Sequence, residues 1–352
     1  MELLQIVQPL LGWYETHARI LPWRDEPTPY RVWVSEIMLQ QTRVEAVIPY
    51  FERFLAELPT LQDLAEAEEA RLMKLWEGLG YYSRVRNLQK AARLVISEYG
   101  GRLPDEPEKL AKLPGIGSYT AGAIASIAYG KPAPAVDGNV LRVLARVTAN
   151  RADISETATK RAMEQDLKQI YPQGRAGDFT QALMELGALV CLPNGAPKCG
   201  ECPLAALCLA KEQNRTEELP VKAAKKARKI EQRTVFLILN GNHVLIQKRP
   251  ERGLLAGLWE FPSADGSLTK PQALEWLNTR GFHPERLKRL PKAKHVFSHV
   301  EWHMAGWLAT VPELPALNGL LPAQPDELLQ TYTIPAAFKA FLKEYLDFIQ
   351  SS

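Results

Sequence analysis

Two acidic residues stand in sequence surroundings that suit complementary roles in bond cleavage. Glu36 lies among apolar side chains in WVSEIMLQQT, and an apolar setting raises the pKa of a carboxyl group. Asp137 precedes the apolar segment LRVLARV, and the dipole at a helix start favours an ionised carboxylate. A protonated and an ionised carboxyl group together can cleave a glycosidic bond, because one protonates the leaving group and the other stabilises the cationic sugar.

Each of these residues also has a purely structural interpretation. Asp137 taken alone is more typical of a helix N-cap. Glu36 taken alone is more typical of a helix residue paired with a basic side chain. The catalytic hypothesis therefore depends on the two residues acting together.

The four cysteines form one cluster with the spacing C-x7-C-x2-C-x5-C, made of Cys191, Cys199, Cys202 and Cys208. No cysteine lies elsewhere in a chain long enough to be stabilised by burial, which disfavours disulfide crosslinking. Four thiolates so close together suit one metal centre. Zinc is the simpler alternative, but the five-residue gap before Cys208 fits a [4Fe–4S] cluster better than two paired zinc knuckles.

The segment LPGIGS, residues 113–118, separates two helix-like runs. Two glycines that flank one apolar residue allow a tight turn, and the amide groups at the start of the next helix can bind an anion. We interpret Gly115, Gly117 and Ser118 as a phosphate-binding hairpin that grips nucleic acid without reading its sequence. A simple connector between helices is the alternative.

Helices predominate in the part of the chain that carries these motifs. Apolar residues recur at intervals of about 3.6 from Val7 to Ala210, so residues 1–210 predict an all-α domain. Residues 211–232 lose this pattern and predict a basic linker. The basic residues crowded in it are Lys222, Lys225, Lys226, Arg228 and Lys229.

Residues 233–352 predict a second, α+β domain. TVFLILNGNHVLIQKRP resembles two strands joined by a hairpin turn, and a helix-like QALEWLNTRGF, a strand-like AKHVFSHVEWHMAGWLAT and a final helix AAFKAFLKEYLDFIQ follow. His295, His299 and His303 recur at every fourth position, but the two-residue period of a strand governs that run and disfavours a metal site.

The length and composition are those of a folded protein with two domains, and they identify no partner. The chain has 352 residues, 46% of them hydrophobic and 24% charged, with a formal net charge of +3 that is too small to indicate a partner. The N-terminus lacks the basic start and apolar run of a signal peptide, and no stretch reaches the roughly 18 apolar residues that cross a bilayer. We therefore expect a cytoplasmic protein with no membrane partner.

The motifs resemble those of the endonuclease III superfamily of helix-hairpin-helix DNA repair glycosylases, and within it the adenine glycosylase branch, the MutY family. The similarity covers residues 10–210 and is carried by SEIMLQQT, GLGYYSRVRNL, LPGIGSYTAG and VDGNVLRVLAR. It implies a [4Fe–4S] cluster that orders a basic loop without acting as the catalyst, with Lys198 as a contact to the DNA backbone. The first cysteine gap is one residue longer than is usual in the superfamily.

The resemblance also implies roles around the two carboxyl groups. Glu36 would protonate N7 of adenine and Asp137 would stabilise or trap the cationic sugar, while Tyr119 and Asn139 assist Asp137 and position the water. Strand-cleaving relatives have a lysine at the position of Tyr119, and tyrosine cannot form a Schiff base. We therefore expect a monofunctional glycosylase.

A buried adenine must be flipped out of the duplex before it can react. By the resemblance, the residues for flipping the base and holding the backbone are Gln41, Tyr81, Tyr82, Arg84 and Arg86. The alternatives are that the two tyrosines pack into the core and that the two arginines form a solvated basic face.

In the second domain, RGLLAGLWEFP resembles the start of the Nudix fold. QALEWLNTRGF lacks the paired glutamates that bind metal in Nudix hydrolases, so we expect recognition without hydrolysis. The resemblance to the adenine glycosylases implies that Phe297, Ser298 and His299 form a turn that detects 8-oxoguanine.

The resemblance therefore implies a monomeric base-excision repair enzyme that removes adenine opposite 8-oxoguanine or guanine in double-stranded, nucleoid DNA. An endonuclease III-like lyase acting on oxidised pyrimidines is a second hypothesis, which Tyr119 and the extra domain oppose. A catalytically idle iron–sulfur module for DNA binding or redox chemistry is a third, which Glu36 and Asp137 oppose. No motif identifies a protein partner.

Overall fold

The computed structural model describes residues 2–223, 227–314 and 319–351. The chain divides into two compact units. The first comprises Met1–Ala67 and Ser83–Ala224, and the second comprises Glu68–Tyr82 and Lys225–Ser352. The second unit thus contains a segment, residues 68–82, that the sequence places inside the helical domain.

The residues before the linker form helices, as the apolar periodicity predicts. The short 3-10 helix Leu3–Ile6 precedes the first α-helix, and the π-helical turn Ile124–Ala128 continues α9. The helices in chain order are α1 (Val7–His17), α2 (Pro22–Asp25), α3 (Pro29–Leu39), α4 (Val44–Glu57), α5 (Leu61–Glu66), α6 (Glu69–Leu75), α7 (Ser83–Tyr99), α8 (Pro107–Leu110), α9 (Ser118–Ala123), α10 (Gly138–Val147), α11 (Thr157–Ile170), α12 (Ala176–Leu189) and α13 (Leu209–Glu212).

The centre of the first unit is α10, in which every residue from Val140 to Val147 is buried. Its apolar side chains pack with those of α1, α11 and α12 in one core. The two arginines of this helix must therefore find partners inside the protein. Arg142 Nε donates to the carbonyl of Cys191 at 2.7 Å, and Arg146 Nε donates to the carbonyl of Leu219 at 2.9 Å.

The predicted hairpin lies between α8 and α9. Gly115 has a φ of +78°, and a Cβ at this position would lie 2.8 Å from the Cβ of Asn87. Both the backbone conformation and the close approach therefore favour glycine. Ile116 is buried and anchors the turn, while Gly117 faces open space as the N-cap of α9.

The second unit is built on a mixed sheet. Its strands are β1 (Lys229–Asn240), β2 (His243–Lys248), β3 (Trp259–Glu260), β4 (Ser263–Asp265), β5 (Arg286–Val296), β6 (Val300–Thr310) and β7 (Leu320–Ala323). The strand order is β3-β2-β1-β6-β5, with β4 paired to β1 and β7 paired to β2. β1 and β6 run parallel, and the other pairs are antiparallel.

Alternate residues of a strand point to opposite sides of a sheet, and here helices cover both sides. Val235 and Leu237 join a core with the 3-10 helix Ala336–Phe338 and α16 (Lys339–Gln350). Phe236 and Ile238 join a separate core with α14 (Lys270–Asn278). The short helix α15 (Pro325–Gln330) adds Leu328 to the first of these cores.

Residues 68–82 contact the same unit through polar groups. Lys74 Nζ donates to the carbonyls of Leu328 and Tyr332, at 3.0 and 3.2 Å. The backbone N–H of Ile334 donates to Glu77 Oε1 at 2.9 Å. Helix α6 and the turn after it are therefore held by backbone groups near α15.

Two expectations about element boundaries need correction. The proposed linker, residues 211–232, is shorter, because α13 extends to Glu212 and β1 begins at Lys229, which pairs with Val300 of β6. The predicted residues Lys225 and Lys226 lie outside the described residues. The strand-like run that follows α14 is divided at residues 297–299 into the antiparallel strands β5 and β6.

None of the helices formed by the described residues is long and apolar enough to cross a membrane.

Candidate active site

One cavity in the first unit brings the predicted catalytic side chains together. It has a volume of about 160 Å³, and Glu36, Tyr119, Asp137 and Asn139 all line it. Glu36 comes from α3 and Tyr119 from α9, while Asp137 and Asn139 stand at the start of α10. Residues separated by up to a hundred positions in the sequence thus share one site.

Helix α3 carries Glu36 into the interior. Thr28 caps the helix by accepting a hydrogen bond from Arg31 N at 3.3 Å, and all residues from Val32 to Met38 are buried. Burial raises the pKa of Glu36 to about 7, the hydrogen bond from Tyr119 partly opposes this rise, and the charge of Asp137 adds to it. Glu36 is therefore able to carry a proton near neutral pH.

Tyr119 touches Glu36 directly, since its hydroxyl group donates to Glu36 Oε2. Burial and the neighbouring carboxyl groups of Glu36 and Asp137 raise the pKa of Tyr119 well above its ordinary value. The phenol therefore stays neutral and remains a hydrogen-bond donor. This contact leaves the second oxygen of Glu36 for another partner.

Asp137 is the N-cap of α10, as its structural interpretation predicts, and it also lines the cavity. Its Oδ1 accepts from the backbone N–H groups of Asn139 and Val140 at 2.9 and 2.8 Å, and its Oδ2 accepts from Asn139 Nδ2 at 2.8 Å. Burial raises the pKa of Asp137, and these three donors together with the charge of Arg142 oppose the rise. The surrounding donors thus favour the ionised form of this carboxyl group.

A buried ionic cluster that no sequence motif indicated lies in the cavity wall. Glu185 on α12 has only 2% of its side chain exposed. It accepts three hydrogen bonds from Arg19, at 2.7, 2.9 and 3.2 Å, and one from Arg24 at 2.9 Å. The available signal was the single acidic residue in the otherwise apolar run ALMELGALV. Nothing in the spacing of Arg19 and Arg24 indicates that they share this partner.

The four cysteines line a second, smaller cavity of about 20 Å³, which also includes Arg146 and Lys198. Arg146 Nη1 donates to Cys191 Sγ at 3.2 Å. Within the described ranges, no group of three or more His, Cys, Asp or Glu side chains is placed to hold a single metal ion. The extra residue of the first cysteine gap falls in a loop where Gly195 adopts a φ of +74°.

Of the predicted DNA contacts, those of the hairpin are accessible. Gly115, Gly117 and Ser118 are exposed, and Ser118 Oγ donates to Glu164 Oε1 at 3.0 Å. Lys198 is also exposed, and its Nζ lies 3.8 Å from Glu201 Oε2. These positions are compatible with contacts to a DNA backbone.

Arg84 is engaged within the protein, and its predicted contact to the DNA backbone stays a prediction. Its Nη1 donates to the carbonyls of Ile37, Met38 and Gln40 at 2.7, 3.2 and 2.7 Å. A cation at this position satisfies carbonyl groups that the end of α3 leaves without helical partners. Arg84 thus fixes the end of the helix that carries Glu36, while Arg86 lies half-buried on α7.

The residues predicted to act in base flipping fall into two groups. Gln41 in the first unit and Tyr81 in the second are exposed and have positive φ angles of 60° and 47°. Such angles are uncommon for residues other than glycine and are typical of strained, functional turns. Tyr82 is buried, with 6% of its surface exposed, which favours the core-packing alternative, and its part in base flipping stays a prediction.

Phe297, Ser298 and His299 form the turn between β5 and β6. Phe297 is half-buried between His295 and Trp302, with ring centroids 4.6 and 4.8 Å away. Ser298 and His299 are exposed at the tip of the hairpin. The aromatic contacts therefore hold one side of the turn and leave its polar side chains accessible.

Two family models match the chain. Residues 34–173 match the HhH-GPD superfamily base excision DNA repair protein, and residues 234–344 match the NUDIX domain. The first match includes the hairpin and the four side chains of the cavity, and the second includes the turn at residues 297–299.

Curated relatives are similar over most of the chain. The adenine DNA glycosylase of Homo sapiens is 40% identical over 83% of this chain and 64% of the relative, and that of Mus musculus is 38% identical over 87% and 71%. The adenine DNA glycosylase of Buchnera aphidicola subsp. Schizaphis graminum (strain Sg) is 35% identical over 84% and 85%. The chain thus spans just under two thirds of the human relative and most of the bacterial one.

Solved structures match the helical part. A thermostable thymine-DNA glycosylase superposes with a TM-score of 0.55 at 30% identity, over 59% of this chain and 96% of that chain. The protein in a non-covalent endonuclease III-DNA complex superposes with a TM-score of 0.51 at 26% identity, over 60% and 96%.

Proposed function

The chain belongs to the adenine DNA glycosylase family, and we propose that it removes adenine paired with 8-oxoguanine or guanine from double-stranded DNA. The coarser part of this assignment rests directly on the family: the chain is a DNA glycosylase of base-excision repair, a hydrolase of N-glycosyl bonds. The predicted fold, helix-hairpin-helix followed by a Nudix-like domain, is confirmed. The substrate, the mechanism and the site residues are proposals.

The observation that carries the proposal is the placement of Glu36, Tyr119 and Asp137 in one cavity. Adenine leaves poorly as an anion, so the reaction needs a proton on the base and a negative charge beside the developing sugar cation. Glu36 supplies the proton to N7, because its pKa of about 7 keeps a large protonated fraction near neutral pH. Asp137 stabilises the cation, because three N–H donors favour its ionised form.

The same residues support a reaction without strand cleavage. A lyase needs a primary amine to attack the sugar and form a Schiff base. Tyr119 offers a neutral phenol in the cavity lining, and among the residues that the structure describes no lysine side chain lines this cavity. Water positioned by Tyr119 and Asn139 is therefore the nucleophile that we propose.

The DNA-binding role follows from the exposed backbone of the hairpin. Amide groups at the start of α9 bind phosphate without reading the sequence, and Lys198 adds a second contact from the cysteine loop. Tyr81 is the residue that we propose to fill the space left by the flipped adenine. We propose Gln41 as a separate DNA contact of the first unit. We propose that the protein acts as a monomer.

The cysteine cavity fits a [4Fe–4S] cluster held by Cys191, Cys199, Cys202 and Cys208. The four thiols line one cavity, and four cysteine thiolates are the usual ligands of a [4Fe–4S] cluster. Burial raises the pKa of Cys202 to about 11, so binding would release thiol protons. When bound, the cluster supplies structural order to the loop that carries Lys198.

For the second domain we propose recognition of 8-oxoguanine by the turn of Phe297, Ser298 and His299. The exposed hydroxyl and imidazole groups can form hydrogen bonds to the oxidised base. The aromatic contacts of Phe297 limit the movement of this turn, which reduces the entropy lost on binding.

Single-turnover incubation with duplexes that contain adenine opposite 8-oxoguanine, guanine or thymine tests the proposal. We expect free adenine from the first two duplexes and strand breaks only after alkali. Release of a pyrimidine, or efficient trapping of the wild-type protein on DNA by borohydride, would contradict the proposed activity. The variant Glu36→Gln should bind the duplex without releasing adenine.

A further inference from the structure

The wall of the active-site cavity holds charges that the proposed mechanism does not use. Its lining contains three carboxyl groups, of Glu36, Asp137 and Glu185, and two guanidinium groups, of Arg19 and Arg24. Glu185 is the most deeply buried of the cluster, with 2% of its side chain exposed against 25% and 15% for the two arginines.

The geometry of this cluster confines both arginines. Arg19 donates through Nε and Nη2 to the two oxygens of Glu185, which is the bidentate arrangement that fixes the guanidinium plane. Arg24 donates through Nη2 to Glu185 Oε1 and through Nη1 to the carbonyl of Arg19, both at 2.9 Å. Each guanidinium group is therefore held on the side of the cavity that α12 forms.

We infer that Glu185 is a positioning residue for base release, because it holds the guanidinium groups of Arg19 and Arg24 against α12 and offsets their positive charge in the cavity that Glu36 and Asp137 share. This inference rests on the proposed function. With Glu36 protonated, the ionised Asp137 and Glu185 balance the two arginines of the cavity lining. Glu45 lies 3.9 Å from Arg19 Nη1, but its side chain is 78% exposed, so solvent screens its charge. Without the charge of Glu185, two buried cations would face the general acid and favour its ionised form.

The other groups around Glu36 do not replace this balance. Tyr119 is neutral, and Asp137 is held by its own N–H donors. Two further charged side chains, near the end of α3 and the start of α10, already have hydrogen-bond partners. These are Arg84, which donates to the carbonyls at the end of α3, and Arg142, which donates to Asn139 Oδ1.

The test is the pH profile of adenine release in single turnover for the wild-type protein and Glu185→Gln, on adenine opposite 8-oxoguanine. A fall of one unit in the pKa of Glu36 lowers its protonated fraction about tenfold at pH 8 but less than about twofold at pH 5.5. We expect Glu185→Gln to lose rate in this pH-dependent way, with DNA affinity unchanged. The matched variant Arg24→Gln removes the positive charge that opposes the raised pKa of Glu36, and it should move the falling limb of the pH profile to higher pH.

The inference would be overturned if the rate of Glu185→Gln dropped by the same factor at every pH. It would also be overturned if the falling limb of the pH profile did not move in either variant. If Glu185→Gln does not fold, the opposite shift expected of Arg24→Gln decides the question alone. A ¹³C NMR titration of Glu36, assigned with Glu36→Gln, follows the same shift in the free holoprotein. Wild-type protein that releases no adenine would refute the proposed function, while this titration would still test the inference.

Discussion

The contact between α10 and α12 sets the position of Asp137. The substitution Gly187→Ala in α12 tests this dependence. A Cβ added at Gly187 would lie 2.5 Å from Asn139 Cβ and 3.1 Å from Asn139 Cα. Because carbon atoms in contact stand about 3.5 Å apart, the start of α10 would have to move by about 1 Å. Asn139 gives Asp137 two of its three hydrogen bonds, so the catalytic carboxylate would move as well.

The expected cost appears in both stability and rate. Overpacking of this kind lowers the free energy of unfolding by about 1–3 kcal/mol, and a displacement of about 1 Å at a reacting group slows catalysis by up to about 100-fold. Thermal unfolding and single-turnover adenine release measure the two effects. The control is Gly12→Ala in α1, where nothing lies within 4 Å of the added Cβ. Wild-type rate and stability in Gly187→Ala would refute the proposed link between helix contact and catalysis.

Three other predictions follow from the described contacts. The pKa of Glu36 is about 7 in the folded protein against 4.5 for its ordinary value, so its contribution to stability is full below pH 4.5 and is lost as the pH rises to 7. Glu36→Gln should therefore raise the free energy of unfolding at pH 8 by at most about 3 kcal/mol and leave it unchanged at pH 4. Ser298→Ala should reduce the ratio of the rates on 8-oxoguanine and guanine duplexes by roughly 2–10-fold, the value of one hydrogen bond. Lys198→Ala should weaken binding to all duplexes equally and reduce the slope of log affinity against log salt by about one.

Each of these three predictions has an outcome that would contradict it. Equal stability of Glu36→Gln and the wild-type protein at both pH values would show that the buried carboxyl group carries no proton. An unchanged rate ratio in Ser298→Ala would assign base recognition to another surface, and an unchanged salt slope in Lys198→Ala would place this side chain away from phosphate.

The sequence predicted the features that depend on local patterns. The capping role of Asp137 and the tight turn at Gly115 follow from the residue types alone. The apolar surroundings of Glu36 also follow from its helix, because the side chains around it from Val32 to Leu39 are all apolar or small. These motifs lie far apart in the chain, and only the family resemblance indicated that they meet.

The sequence did not predict features that arise from contacts between distant elements. Arg84 has the sequence surroundings of a solvated basic face, yet the carbonyl groups at the end of α3 give it partners. β1 begins in a polar segment because backbone pairing with β6 does not depend on side-chain hydrophobicity. The cluster around Glu185 forms because burial forces an isolated acid to find cations, and the sequence does not show which ones.

The contacts of Lys74 and Glu77 affect how deletion experiments should be interpreted. Removing the C-terminal part of the chain would remove base recognition, but it would also remove the backbone groups of Leu328, Tyr332 and Ile334 that hold these two side chains. The segment left without this support leads directly to Tyr81, the residue that we propose to enter the DNA. A slower truncated protein would therefore not measure lesion recognition alone, and point substitutions in the turn at residues 297–299 separate the two effects more cleanly.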